Sequence, residues 1–221
     1  MNLLALCSGG KDSIYALWLA MKAGHQVKKI IAVLPVEDSF MYHYPNVRLV
    51  RLLEKCTGIP VVEIAAKGNE EEMDVLKKAL QHQAADGIVS GTIASSYQKG
   101  RLDAICEELK REHLAPLWGR DPAELLVEVV ASGLETIVVG VAAEGLGEEW
   151  LGRRLDKRAV EEMLKLSKKY GINPCGEGGE YETFVTDAPF FTRRIAIEEA
   201  EKVWKGTHGS YIIKKAHLEE K

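Results

Sequence analysis

Short apolar runs and helix-period stripes alternate along the first half of the chain. Candidate strands are Asn2 to Cys7, Lys29 to Leu34, Pro60 to Ala65, Gly87 to Gly91 and a short one at Ala115 to Leu117. Between them the period becomes helical: Ile14, Leu17, Trp18 and Met21 fall at i, i+3, i+4 and i+7, and Leu102, Ile105, Cys106 and Leu109 repeat that spacing. Such stripes are core faces. The alternation predicts an α/β fold, a parallel sheet with helices on both faces.

After Trp118 the order changes. Gly119-Arg120-Asp121-Pro122 reads as a turn and a helix start, with Asp121 as N-cap and Pro122 at the first helical position. This places a boundary between a domain of residues 1–120 and a smaller one of residues 121–221. A strand at Thr136 to Ala142 and a helix from Asp156 to about Tyr170 follow. Thr183 to Thr186, Arg193 to Glu198 and Ser210 to Lys214 are strand-like without intervening helices, which predicts a small antiparallel or mixed sheet.

Composition narrows the classes. The 221 residues are 46% hydrophobic and 28% charged, an ordinary globular balance. No apolar run approaches the roughly 20 residues of a membrane span, and no leader pattern precedes the first glycines, so a cytoplasmic protein without a membrane partner is expected. A net charge of -4 lacks the basic footprint of a nucleic-acid binder. The dense basic cluster, Arg153, Arg154, Lys157 and Arg158, reads first as a solvated helix start and second as a patch for an acidic partner. Cys7, Cys56, Cys106 and Cys175 stand singly, which suggests neither a zinc knuckle nor a disulfide framework.

Candidate chemistry begins at Ser8-Gly9-Gly10-Lys11-Asp12-Ser13, which joins the first strand directly to the first helix. A glycine-rich turn there aims consecutive backbone N–H groups at an anion, and the helix start adds partial positive charge. Lys11 supplies a full charge, and Ser8 and Ser13 supply hydroxyl donors. The spacing is not that of a Walker A loop, which needs GxxxxGK[ST]. SGGKDS after an amino-terminal strand instead resembles the PP-loop of the N-type ATP pyrophosphatases, which implies ATP as substrate, pyrophosphate as leaving group and magnesium (Mg2+) on the phosphates, with Asp12 as a direct or water-mediated ligand. Ser90 to Ser96, including Gly91, lies at the carboxyl end of the fourth strand, where ligands of doubly wound folds bind. Arg101, in the next helix, could reach a carboxylate or phosphate.

The second motif is Gly176-Glu177-Gly178-Gly179-Glu180-Tyr181-Glu182-Thr183, a segment without helical or strand periodicity of its own. Alone it could be an acidic surface turn. SGGKDS, then GTIASSYQKGRLDAIC with PLW, then GEGGEYETFV, in that order, resemble the diphthine-ammonia ligase family over nearly the whole chain. The chain's end soon after the tail strands resembles the short form expected of archaeal members.

The resemblance implies a doubly wound (Rossmann-like, HUP-type) five-stranded parallel sheet with a smaller C-terminal α+β domain. It also implies amidation of diphthine on translation elongation factor 2, with ammonium as nitrogen source and an acyl-adenylate as intermediate. Lys11 would stabilise departing pyrophosphate. Glu177, Gly178, Gly179, Glu180, Tyr181 and Glu182 would form the substrate pocket, Tyr181 and a glutamate holding the trimethylammonium group. Glu180 is the first candidate to accept the proton from ammonium, although each of the glutamates qualifies. A homo-oligomer is compatible with the sequence. Two rival readings are a PP-loop transfer-RNA modifier, disfavoured by the acidic balance, and a non-catalytic adenine-nucleotide sensor on the same fold.

Overall fold

A computed structural model describes residues 1–35, 46–66 and 68–221. The chain divides into two compact units, one of residues 1–8 and 12–118, the other of residues 9–11 and 119–221.

The first unit is built on an all-parallel sheet of five strands: β1 (Asn2–Leu6), β2 (Gln26–Pro35), β3 (Val61–Ala66), β4 (Gly87–Val89) and β5 (Glu112–Leu114), in the order β3-β2-β1-β4-β5. Helices α1 (Lys11–Lys22), α2 (Leu52–Thr57), α3 (Gly68–Gln81) and α4 (Ser96–Glu108) connect the strands. Parallel strands covered on both faces read as continuous apolar runs, and Leu3, Leu4 and Ala5 of β1 are each no more than 1% exposed. Leu4, Ile31, Ile64 and Ile88 of the sheet pack with Leu76 and Leu80 of α3 and Leu102, Ile105 and Cys106 of α4. The α1 stripe buries Ile14 and Leu17 fully and Trp18 and Met21 in part.

The expected short strand at Ala115 to Leu117 lies three residues earlier. Glu112, His113 and Leu114 pair with Gly87, Ile88 and Val89, whereas Ala115 begins a turn closed by the Trp118 N–H on the Ala115 carbonyl. Pro116 has no N–H to give a ladder, and the polar residues Glu112 and His113 conceal the true strand.

The second unit holds an antiparallel sheet of β6 (Glu135–Val141), β7 (Tyr181–Asp187), β8 (Arg193–Trp204) and β9 (Gly209–Glu220), in the order β7-β6-β9-β8. Its helices are α5 (Pro122–Ala131) and α6 (Lys157–Tyr170). Asp121 caps α5 by accepting the N–H groups of Ala123 and Glu124, with Pro122 the first helical residue. Asp156 caps α6, which ends at Gly171 in the left-handed region. The tail strands extend well beyond their apolar centres. β8 and β9 form a long hairpin whose faces carry the ion pairs Arg193–Glu220, Arg194–Glu219 and Lys214–Glu201. In the basic cluster, Arg153 and Arg158 pair with Glu162 and Arg154 with Glu135.

The strand order has a functional consequence. From β1 the chain winds outward to β2 and β3, then returns to β4 on the other side of β1, so the order reverses between β1 and β4. Ligands of doubly wound sheets bind beyond the carboxyl ends of the strands at such a switch point. Two segments follow those ends, the turn after β1 and Ser90 to Ser95 after β4. Gly91 packs so tightly on the start of α1 that an added Cβ would lie 2.6 Å from Ser13 N and 2.7 Å from the Asp12 carbonyl carbon. Backbone cannot yield as a side chain can. Gly91→Ala is therefore expected to cost about 1–3 kcal/mol in urea unfolding, by overpacking; an unchanged midpoint would contradict this packing.

Candidate active site

The turn after β1 bends at Gly9, whose φ of 83° favours glycine. Ser13 Oγ lies 3.3 Å from Cys7 Sγ and 3.5 Å from Ser8 Oγ, which ties the start of α1 to the end of β1. Asp12 occupies the first turn of α1, where its carboxylate complements the helix dipole.

Within the second unit, Gly9 to Lys11 run beside β7. The Val185 N–H donates to the Gly9 carbonyl at 2.9 Å, and the Lys11 N–H donates to Thr183 Oγ1 at 3.1 Å. The Lys11 side chain is almost fully buried, with the residue 2% exposed. A buried ammonium is costly unless it is compensated. Lys11 Nζ donates to the Cys175 carbonyl at 2.5 Å and stands 5.0 Å from the centroid of the Tyr181 ring, so a carbonyl dipole and an aromatic quadrupole meet its charge. The Tyr181 hydroxyl donates to the Pro174 carbonyl, which orients the ring. Gly176, at φ 76°, admits this arrangement because a Cβ there would fall 2.7 Å from the Tyr181 carbonyl oxygen.

The glutamates of the second motif separate into different environments. Both oxygens of Glu180 are engaged, accepting the N–H groups of Asn173 at 2.9 Å and Gly178 at 2.8 Å, so this side chain clamps the turn. Glu177 is half-buried in the same turn. Glu182 lies within β7 opposite Gly140, and desolvation pushes its carboxyl up to about 7. Tyr181 and Thr183 alternate with Glu182 along the strand, so the pair that holds Lys11 and the perturbed carboxyl belong to opposite faces. The absence of strand periodicity expected for the motif holds only as far as Glu180, since β7 begins at Tyr181.

The diphthamide synthase N-terminal domain family matches residues 1–111, and the diphthamide synthase C-terminal domain family matches residues 121–218. The chain belongs to the diphthamide synthase family. It is 34% identical over 253 residues to diphthine-ammonia ligase of Mus musculus, covering 100% of this chain and 94% of that protein. With the Homo sapiens diphthine-ammonia ligase it shares 33% identity over 228 residues, 92% of this chain and 85% of the human protein. The Schizosaccharomyces pombe diphthine-ammonia ligase is 34% identical over 225 residues, covering 92% of this chain but 37% of that longer protein.

Other candidate residues in this family member lie in the first unit. Ser95 caps α4 by accepting the Gln98 N–H, and Arg101 stacks 5.1 Å from the centroid of Tyr97 while donating to its hydroxyl. Among the described residues, no group of three or more His, Cys, Asp or Glu side chains could hold a metal ion. The four cysteines are buried thiols outside any disulfide. No described helix is long and apolar enough to cross a membrane. Two partners of Lys11, Thr183 and the Cys175 carbonyl, lie beyond sequence reasoning: a backbone oxygen leaves no sequence signal, and Thr183 is legible only as the last letter of a motif.

Desolvation of the Glu182 carboxyl makes the protein's stability depend on pH. Glu182 has a folded pKa raised above its ordinary 4.5, so its contribution is fully present below that value and is lost as the pH rises through about 7. Glu182→Gln stays neutral throughout. The variant should match the parent protein in stability near pH 4 and exceed it by about 1–3 kcal/mol at pH 8 in denaturant unfolding. Equal stability at both pH values would show that the Glu182 carboxyl is not desolvated.

Proposed function

We propose that this chain converts diphthine on translation elongation factor 2 to diphthamide, using ATP and ammonium and releasing AMP and pyrophosphate. The observation that carries this reading is the lysine of the phosphate loop held in place by the second motif, a use of GEGGEYET that a simple nucleotide sensor does not need. Membership of the diphthamide synthase family supports the same reaction.

A carboxylate does not condense with ammonia unaided, because it repels nucleophiles and offers a poor leaving group. ATP is therefore a substrate. A diphthine carboxylate oxygen attacks the α-phosphorus, the bond from that phosphorus to the β-bridging oxygen breaks, and pyrophosphate leaves. The loop's backbone donors, apart from the Lys11 N–H that Thr183 takes, and the charge of Lys11 stabilise the leaving group. Ammonia then attacks the acyl carbon and AMP departs.

Magnesium fits this donor set. A single carboxylate, Asp12, sits in the first turn of the phosphate-binding helix, and Mg2+ on nucleotides is commonly held by one or two carboxylates together with phosphate oxygens. Asp12 would hold it, and it would neutralise phosphate charge.

Ammonium must lose a proton before attack. We assign that proton to Glu182, whose raised affinity for protons suits a base working near neutral pH. Glu180, engaged by two backbone donors, shapes the turn, as do Gly178 and Gly179. Glu177 is assigned to the trimethylammonium group, because the Tyr181 face already receives Lys11. Arg101 is the cationic side chain offered to a substrate carboxylate or phosphate. The reaction is placed in the cytoplasm, where its protein substrate works.

The test is incubation with ATP, magnesium, ammonium and diphthine-bearing elongation factor 2. Amide formation is expected by mass spectrometry, with one AMP per amide, and Lys11→Met should lower kcat by about 10²–10³. ADP with orthophosphate as products, or AMP formation that ignores the protein substrate, would overturn the proposal.

A further inference from the structure

A chain of hydrogen bonds, buried from His113 inward and open to solvent at Asp103, runs through the first unit without an assigned role. His113, on β5, has a side chain only 3% exposed. Its Nδ1 lies 2.6 Å from Asp103 Oδ1 on α4, and its Nε2 lies 2.8 Å from Ser90 Oγ at the end of β4. Ser90 Oγ in turn lies 3.0 Å from Thr92 Oγ1. Ser90 and Thr92 are 4% and 6% exposed.

The outer end of the chain has a fixed role. Hydrogen bonds from Lys99 and His113 hold the Asp103 carboxyl below its ordinary range, so it is ionised and only accepts. His113 Nδ1 therefore donates to Asp103, and its Nε2 pairs with the Ser90 hydroxyl, which in turn pairs with the Thr92 hydroxyl. Aspartate, histidine and serine in this order also make an acyl-transfer nucleophile. Here the serine is buried and its oxygen is already engaged by Thr92, so the arrangement holds structure and does not attack.

What it holds is the turn Ser90-Gly91-Thr92. Gly91, between the two anchored hydroxyl residues, is the glycine whose close approach fixes this turn on the backbone of Asp12 and Ser13. We propose that His113 is a positioning residue for nucleotide binding: the Asp103–His113–Ser90–Thr92 chain locks the turn after β4 against the first turn of α1 and so sets how the helix N–H groups meet the phosphates. This inference rests on the reading of that loop as the ATP site. Asp103 is shared with Lys99, whose ammonium lies 2.7 Å from Oδ2 and 5.5 Å from the Trp118 ring centroid, so the outer end of the chain is itself fixed.

The experiment titrates the intact protein with MgATP by calorimetry, with no protein substrate present. His113→Leu and Ser90→Ala should each weaken ATP by about tenfold, the loss expected from leaving a buried polar group unpaired. His113→Gln, whose amide can reach Ser90 from the Nε2 position, should recover to within about threefold of the parent, whereas His113→Asn, which can reach only Asp103, should not. Thermal unfolding identifies any variant that fails to fold; Ser90→Ala, a small change, keeps the test alive should the histidine variants do so. Folded variants that bind ATP as the parent does would overturn the proposal, as would equal losses for Gln and Asn, which would indicate packing alone. A parent protein that binds no ATP would sink the reading of the loop itself. ATP binding here, together with no amide in the separate assay with diphthine-bearing elongation factor 2, would sink the proposed reaction and leave this inference standing.

Discussion

The burial of the Lys11 ammonium is the constraint around which the site is built. A lysine charge removed from water must be met by oriented dipoles or it drives the side chain outward. Here the Cys175 carbonyl and the Tyr181 face meet it, while Thr183 and Val185 hold the adjoining backbone. Each of these partners lies within or beside the second motif. Two stretches of sequence more than a hundred and fifty residues apart, Gly9 to Lys11 and Cys175 to Val185, are thus parts of one packed structure within the second unit. This explains why the motif combines an aromatic, a small hydroxyl residue and glycines: the ring faces the cation, the hydroxyl accepts an N–H, and Gly176 admits the tyrosine.

The remaining geometry follows from topology. A strand order that reverses beside β1 brings the turns after β1 and β4 to the same edge of the sheet, and a glycine lets one backbone touch the other. Alternation along β7 then divides labour between neighbours. Tyr181 and Thr183 face the lysine, whereas Glu182 is turned away into a poorly solvated environment that makes it a better base.

Much of this was legible in the sequence because its local signals agree with one another. Continuous apolar runs marked the parallel strands, Asp121-Pro122 and Asp156 marked helix starts, and SGGKDS between a strand and a helix marked the phosphate loop. Legibility failed where a polar pattern is stabilised by long-range contacts. β5 was misplaced because Glu112 and His113 look like loop residues until β4 and Ser90 are beside them. The β8–β9 hairpin runs past its expected strands because polar stretches are held by cross-strand ion pairs, Lys214–Glu201 beyond Glu198 on β8 and Arg193–Glu220 and Arg194–Glu219 beyond Lys214 on β9. The acidic residues of the second motif cannot be told apart in sequence because their environments arise on folding: both Glu180 oxygens accept backbone N–H groups, whereas desolvation raises the Glu182 carboxyl.

In the proposed reaction Tyr181 acts on the nucleotide through Lys11. Measuring ATP affinity and the apparent affinity for diphthine-bearing elongation factor 2 in Tyr181→Leu tests it directly. Weaker ATP binding, by about tenfold, with the protein substrate's affinity little changed, is the predicted result for a lost cation–π partner in a desolvated site. Undiminished ATP binding together with a loss of affinity for the elongation factor would contradict it, and would make Tyr181 a reader of the substrate's own cation.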